Sequence, residues 1–279
     1  MRALITGSKG QLGAAFERLF SESGWDYAAA DVDTLDITDI NAVMDAVMPY
    51  KPGLILNCSA YNLVDKAETE PEKAFAVNAE GVRNLALAAR RLESTFVHFG
   101  SDYVFDGAKK APYVEGDAVN PLNKYGESKL KGEEYALAVP GALVFRLSWV
   151  YGSGQQNFMH KLQGWAKNPG PLRISDDEVS VPTYTGDIVN AVMEALKAGL
   201  FGRWHLTNSG TASRYDWAEA ALKAFGMQKE MQRARMADFN LPARRPGYSA
   251  MSNAKLCGEL AMQIPHWRDS VEKFIRENK

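Results

Sequence analysis

Short apolar runs alternate with longer helical patterns from the second residue onward, and that order limits the fold more than any other feature of the chain. RALITG (2–7), YAAAD (27–31), LILNCSA (54–60), TFVHFGS (95–101) and ALVFRLS (142–148) have strand length and composition. Between the first two, QLGAAFERLF (11–20) places Leu12, Ala15, Phe16 and Leu19 at helical spacing. A second helix is expected from Thr38, an N-cap candidate, to Pro49. A long amphipathic helix starts at Pro71, which is tolerated at a first helical position, and another carries Tyr125 between the fourth and fifth strands. Strict alternation of this kind builds parallel strands joined by right-handed helical crossovers. The fold class is α/β, a doubly wound parallel sheet covered on both faces.

After Trp149 the pattern loosens. A helix near 156–167, a turn at NPGPL, a short extended piece and a helix after Gly186 precede GRWHLTN (202–208), which reads as one more strand. Residues 1–150 are expected to form the principal domain, receiving elements from about 185–210. Residues 151–279 are expected to supply mainly a smaller, irregular α/β lobe.

GSKGQLG follows the first strand and opens the first helix, with glycines at Gly7, Gly10 and Gly13. A chain that turns this sharply and lets its backbone approach a diphosphate needs glycine there, and the helix N-terminus offers free N–H groups to the phosphates. A turn alone uses the same residues, but the strand–turn–helix context favours a Rossmann-like dinucleotide site. Asp31 closes the second strand 18 residues beyond Gly13. An acid at that point accepts hydrogen bonds from ribose hydroxyls and favours NADH over NADPH by a small margin; Asp33 and Asp36 compete for the role, and Asp31 can equally be a turn residue.

Bulk properties narrow the partners. Charged residues make up 24%, the formal net charge is −2, and no basic block suggests nucleic acid. No apolar run approaches a membrane span or a signal peptide, so a cytoplasmic protein is expected. Cys58 and Cys257 are far apart and without metal-like spacing; Cys58 reads as a buried free thiol, and no metal site is expected.

In PLNKYGESKLKGEE (121–134), Tyr125 stands four residues before Lys129, on one face of the expected helix. The spacing alone decides nothing. Beside a dinucleotide site it gains meaning, because ligands of such sheets lie beyond the carboxyl ends of the strands. The fourth strand ends in GSDYVFDG (100–107), delivering Ser101, Asp102 and Tyr103 to that edge. A free phenol has a pKa near 10, and a neighbouring ammonium lowers it. Tyr125, Lys129 and Ser101 are thus the candidate catalytic set, with Ser101 hydrogen-bonding a reacting carbonyl.

The glycine loop, SDYVFDG and YGESK in this order resemble the extended short-chain dehydrogenase/reductases. Finer stretches are similar to the dTDP-4-dehydrorhamnose reductases: AYNLVDKAETEPEKAFAVNAEGVRNLA (60–86), PLNKYGESKLKGE (121–133), FRLSWVYGSGQQNF (145–158), VPTYTGDIV (181–189) and ARRPGYS (243–249). The resemblance implies reduction of the 4-keto group of dTDP-4-dehydro-β-L-rhamnose, with Tyr125 protonating the C4 oxygen and Lys129 tuning it and holding the nicotinamide ribose. It further implies that Gly10, Gln11 and Leu12 line the diphosphate, Asp31 meets the adenosine ribose, and Asp36 and Ile37 flank the adenine. Ala60, Tyr61 and Asn62 would pass under the cofactor, and Asp102 and Trp149 would touch the nucleotide sugar. A tryptophan after a strand is otherwise a core residue. Arg244 and Arg245 suit a diphosphate or simply a solvated surface. Ser101 replaces the family's usual threonine and keeps the hydroxyl, while Asn62, Glu178 and Ser180 depart from its usual text. The last two fall in the sugar lobe and leave the exact keto-sugar open.

Three functions therefore stand at this stage: the keto-sugar reductase, another nucleotide-sugar reductase or epimerase, and an NADP-binding regulatory subunit without turnover. The intact hydroxyl, phenol and ammonium favour the first. A monomer or a homodimer is expected.

Overall fold

The computed structural model describes residues 2–154 and 157–278. Six parallel strands form the central sheet: β1 (Arg2–Thr6), β2 (Asp26–Ala30), β3 (Leu54–Asn57), β4 (Thr95–Ser101), β5 (Leu143–Leu147) and β6 (Gly202–His205). Their spatial order is β2–β1–β3–β4–β5–β6, so the chain reverses direction across the sheet beside β1. That reversal opens a crevice at the carboxyl ends of β1 and β3, where open sheets of this type bind ligands.

Helices cover both faces, which explains strands apolar at nearly every position rather than at alternate ones. On one face the Gln11–Glu22 and Thr185–Lys197 helices pack Phe16, Phe20, Ile188 and Val192 against Ile5, Leu56 and Phe145. On the other, the Ile40–Tyr50, Val82–Leu92 and Lys124–Leu137 helices bury Val43, Leu85 and Ala136 against Leu4, Ile55 and Phe96. A second core outside the sheet gathers Trp149, Tyr151, Trp217, Trp267 and Phe274, and forms the lobe.

Local departures from the sequence expectation have identifiable causes. The second helix is capped by Asp39, not Thr38: the Asp39 carboxylate accepts from the N–H groups of Asn41 and Ala42, while the Thr38 hydroxyl is bound to Asp36. The third strand stops at Asn57, three residues short of the expected Ala60, and residues 58–62 follow it as a loop. The long helix from Pro71 widens into a π-helical stretch at Ala76–Gly81. This stretch lies against the Tyr125-bearing helix, where Gly132 is required: a Cβ there would collide with the Asn78 carbonyl oxygen. Both cysteines are free and partly buried. Among the described residues no helix is long and apolar enough to cross a membrane, and no His/Cys/Asp/Glu group is arranged to hold a metal ion.

Candidate active site

The glycine loop is built as a cradle. Gly7 has φ +68° and its missing Cβ makes room for the backbone of Cys58 and Ser59, while a Cβ on Gly13 would strike the Gly7 carbonyl. The first helix starts at Gln11 with no side-chain cap, so its leading N–H groups face outward unclaimed. The Gln11 Oε1 atom is buried without a hydrogen-bond partner among the described residues. A pinched backbone and an uncapped helix start fit the diphosphate of a dinucleotide, while the unpartnered Gln11 oxygen is an acceptor and does not count toward it. The Leu12 side chain packs into the core, which leaves only its backbone open to the cradle.

At the ribose end, both Asp31 oxygens are engaged by backbone: Oδ2 accepts from Lys9 N–H at 2.9 Å and Oδ1 from Val32 N–H at 2.8 Å. Asp31 thus locks the glycine loop to the end of β2. The Lys9 ammonium lies 2.5 Å from Asp33 and is largely exposed. Asp36 binds Thr38, and the Ile37 side chain is buried against Gly81 and the core. Asp31, expected at the ribose, therefore holds the loop, and the Ile37 side chain, expected beside the adenine, is committed to the core.

Asn78, wholly buried in the π-helical stretch, secures the loop after β3. Its Oδ1 accepts from Tyr61 N–H at 2.8 Å, and its Nδ2 donates to the Tyr61 carbonyl and to Ser128 Oγ, each at 3.0 Å. One amide thereby joins residues 60–62 to the Tyr125-bearing helix. The sequence carries a signal for it only in retrospect: an asparagine inside an otherwise apolar helical face.

Ser101, Tyr125 and Lys129 come together at the carboxyl end of β4. The Tyr125 hydroxyl donates to Asn62 Oδ1 at 3.4 Å, and the ring meets Tyr103 edge-on at 5.7 Å. Burial pushes the phenol up to about 12, a rise opposed by a hydrogen bond from Ser101 and increased by the Asp102 charge. Lys129 is 3% exposed, and its ammonium donates to the Phe99 carbonyl at 2.6 Å. Burial holds it down to about 8, against the charge of Glu133. Here the structure differs from the sequence argument: Lys129 faces the sheet rather than the phenol, and Tyr125 is a neutral, weak acid.

Asp102 leaves the edge of β4 toward the lobe. Its Oδ2 accepts from Ser180 Oγ at 2.8 Å and Ser249 Oγ at 2.5 Å. Burial pushes this carboxyl up to about 6, opposed by those serines and by Arg214, and aided by Glu178. The folded value lies above the ordinary 3.8, so the stabilisation from this proton is complete below about 3.8 and is lost as pH rises through about 6. Asp102→Asn fixes the neutral state and is expected to be more stable than the parent by about 2 kcal/mol at pH 7.5, with the difference vanishing near pH 4. Thermal melts across that range check it; a variant less stable at pH 7.5 contradicts it.

Tyr103 turns its hydroxyl to Glu178, and Trp149 is buried at φ +40° with its Nε1 unpartnered among the described residues. Arg245 is already held, making a two-pronged ion pair with Asp65 at 3.0 and 2.7 Å. It ties the 243–245 segment to the loop after β3. Arg244 is exposed.

An uncapped helix over a glycine cradle, with a hydroxyl, phenol and ammonium at the next strand edge, places the chain in the class of nicotinamide-dependent short-chain dehydrogenase/reductases. More narrowly, residues 1–279 match the family described as RmlD substrate binding domain, and the chain belongs to that family. A dTDP-4-dehydrorhamnose reductase of Sinorhizobium fredii is 36% identical over 99% of this chain and 97% of its own length. The crystal structure of a dTDP-4-dehydrorhamnose reductase from Clostridium acetobutylicum superposes with a TM-score of 0.96 at 33% identity, covering 100% of this chain and 99% of that one. The Bacillus anthracis dTDP-4-dehydrorhamnose reductase, solved in complex with NADP, gives 0.95 at 31% identity, with 99% of each chain covered.

Proposed function

We propose that the protein reduces the 4-keto group of dTDP-4-dehydro-β-L-rhamnose to dTDP-L-rhamnose. The observation that carries this reading is the placement of Tyr125, on the helix packed against β4, where its hydroxyl donates to Asn62 in the loop after β3, with Ser101 closing β4. A reduced nicotinamide bound there supplies a hydride. The protein's residues do the rest: Ser101 orients the ketone oxygen and the neutral Tyr125 hydroxyl delivers the proton, while Lys129, bound to the Phe99 carbonyl, acts on the phenolate left behind only through the field of its charge. Asp102 and Trp149 hold the sugar, and the free N–H groups of Arg245 meet the sugar nucleotide. Loss of absorbance at 340 nm with the enzymatically generated dTDP-keto-sugar tests the reading, and absence of turnover with both reduced cofactors defeats it. A reductase for a different nucleotide keto-sugar is the second reading, favoured by Glu178 and Ser180 in the sugar lobe.

Both reduced cofactors are accepted in this reading. Asp31 is committed to the loop backbone, which weakens the case for NADH, and the exposed Lys9 ammonium is suited to a 2′-phosphate. Lys9→Ala is expected to lower kcat/KM for NADPH about tenfold and to leave NADH within about twofold. Equal losses with both cofactors would count against a phosphate contact.

A further inference from the structure

Tyr103, Glu178, Arg214 and Trp149 form a continuous chain of contacts along the lobe side of the cleft, and Arg214 has no part in the chemistry above. Glu178 is 5% exposed. One of its oxygens accepts from the Tyr103 hydroxyl at 3.3 Å, and the other meets Arg214 Nε at 3.0 Å. The Arg214 backbone N–H also donates to the Glu178 carbonyl at 3.3 Å, so main chain and side chain of Arg214 are both tied to Glu178. Its central carbon lies 3.6 Å from the centre of the Trp149 ring, within the range of a close cation–π contact.

What this leaves unpaired points to a ligand. Glu178 satisfies only Nε; the two terminal amino groups of Arg214 have no acceptor among the described residues, and the side chain stays 22% exposed. Trp149 Nε1 is buried and also lacks an acceptor among the described residues. Among the described residues, Arg214 thus offers two free amino groups over the face of Trp149, whose own buried N–H also awaits an acceptor. Charge narrows the ligand further: Glu178 neutralises Arg214, and Asp102 stands close enough to feel both charges. A diphosphate would meet two carboxylates there, whereas a neutral sugar offers hydroxyl oxygens at no electrostatic cost.

We propose that Arg214, aligned by Glu178, selects the sugar: its amino groups and Trp149 Nε1 bind ring hydroxyl oxygens of a neutral keto-sugar, and sugars lacking those hydroxyls are rejected. The inference rests on the reading of the substrate as a nucleotide keto-sugar. Discrimination follows because a missing hydroxyl leaves partly buried donors without acceptors, a penalty far larger than the loss of a methylene contact.

Titration calorimetry on the full chain saturated with NADP⁺ tests this without turnover. The ligands are dTDP, dTDP-L-rhamnose, and two analogues lacking the sugar 2-hydroxyl or 3-hydroxyl. The parent is expected to bind at least one analogue about 100-fold more weakly than dTDP-L-rhamnose. Arg214→Met should shrink that gap below about fivefold while dTDP affinity holds, and Glu178→Gln, which keeps an oxygen for Arg214, should retain most of it. Equal parental affinity for all three sugars overturns the proposal, as does an Arg214→Met variant that weakens every ligand by one common factor. If dTDP-L-rhamnose binds no better than dTDP, the substrate reading itself fails, a result distinct from both.

Discussion

Tyr125→Phe lowers kcat by about 1,000-fold while NADPH affinity, read from cofactor fluorescence, stays within about twofold; this is the expected outcome if the phenol delivers the proton. The substitution keeps the ring, and with it the edge contact to Tyr103, removing only a hydroxyl whose bond to Asn62 is long at 3.4 Å. Stability should change little. The free phenol, pushed up to about 12, is fully protonated at neutral pH, which is the state that reduction requires. A weaker acid is a slower donor, so the companion substitution is informative. Lys129→Met removes a buried ammonium one helical turn from the phenol that reaches the phenolate only through its field, and should lower kcat by about tenfold, with a raised KM for the cofactor. A Tyr125→Phe variant within tenfold of the parental kcat would remove Tyr125 as the proton donor and pass the role to Ser101 or a bound water.

The parts of this site that are legible in the sequence are those set by local geometry. Four of the six strands are apolar because both sheet faces are covered; the edge strand Asp26–Ala30 is half-exposed, and Gly202–His205 is recognisable as GRWHLTN despite following a loosened pattern. The glycine loop and the Tyr125–Lys129 pair are short-range features, fixed by a turn and by helical pitch. What escapes is set by distance along the chain. Glu178 and Arg214 are 36 residues apart, and nothing in either segment announces an ion pair. Arg245 is written beside Arg244 as a free cation, yet Asp65, 180 residues away, holds it. The orientation of Lys129 is also hidden: helical spacing puts it on the face of Tyr125, but the carbonyl of Phe99 lies nearer once β4 packs beneath the helix.

Those long-range contacts decide how firmly the catalytic helix is seated, and Glu133 is the place to test it. Tyr125, Lys129 and Glu133 follow one another at four-residue steps and so share one helical face. Glu133 is wholly buried and receives Arg146 through two hydrogen bonds, at 2.9 and 2.7 Å; Arg203 closes on the same carboxylate at 2.6 Å. One acid thereby pins the helix to β5 and β6. His205, beside Arg146, stays neutral because burial holds it down to about 3, with Arg146 adding to the fall, and so it supplies no compensating charge. Glu133→Ala would strand two arginines, one of them Arg146 at 0% exposure. The expected cost is about 3–5 kcal/mol, a large share of the roughly 5–15 kcal/mol that holds a domain together. Urea unfolding reads it as a lower midpoint at unchanged slope. A second effect reaches the chemistry. The Glu133 charge helps to hold up the Lys129 pKa, so its removal should lower the ammonium population at neutral pH. In whatever fraction remains folded, the fall in kcat with rising pH should begin at lower pH than in the parent. A midpoint shift worth less than 1 kcal/mol would mean that the arginines find water or new partners, and that the helix is seated by its packing at Gly132 instead.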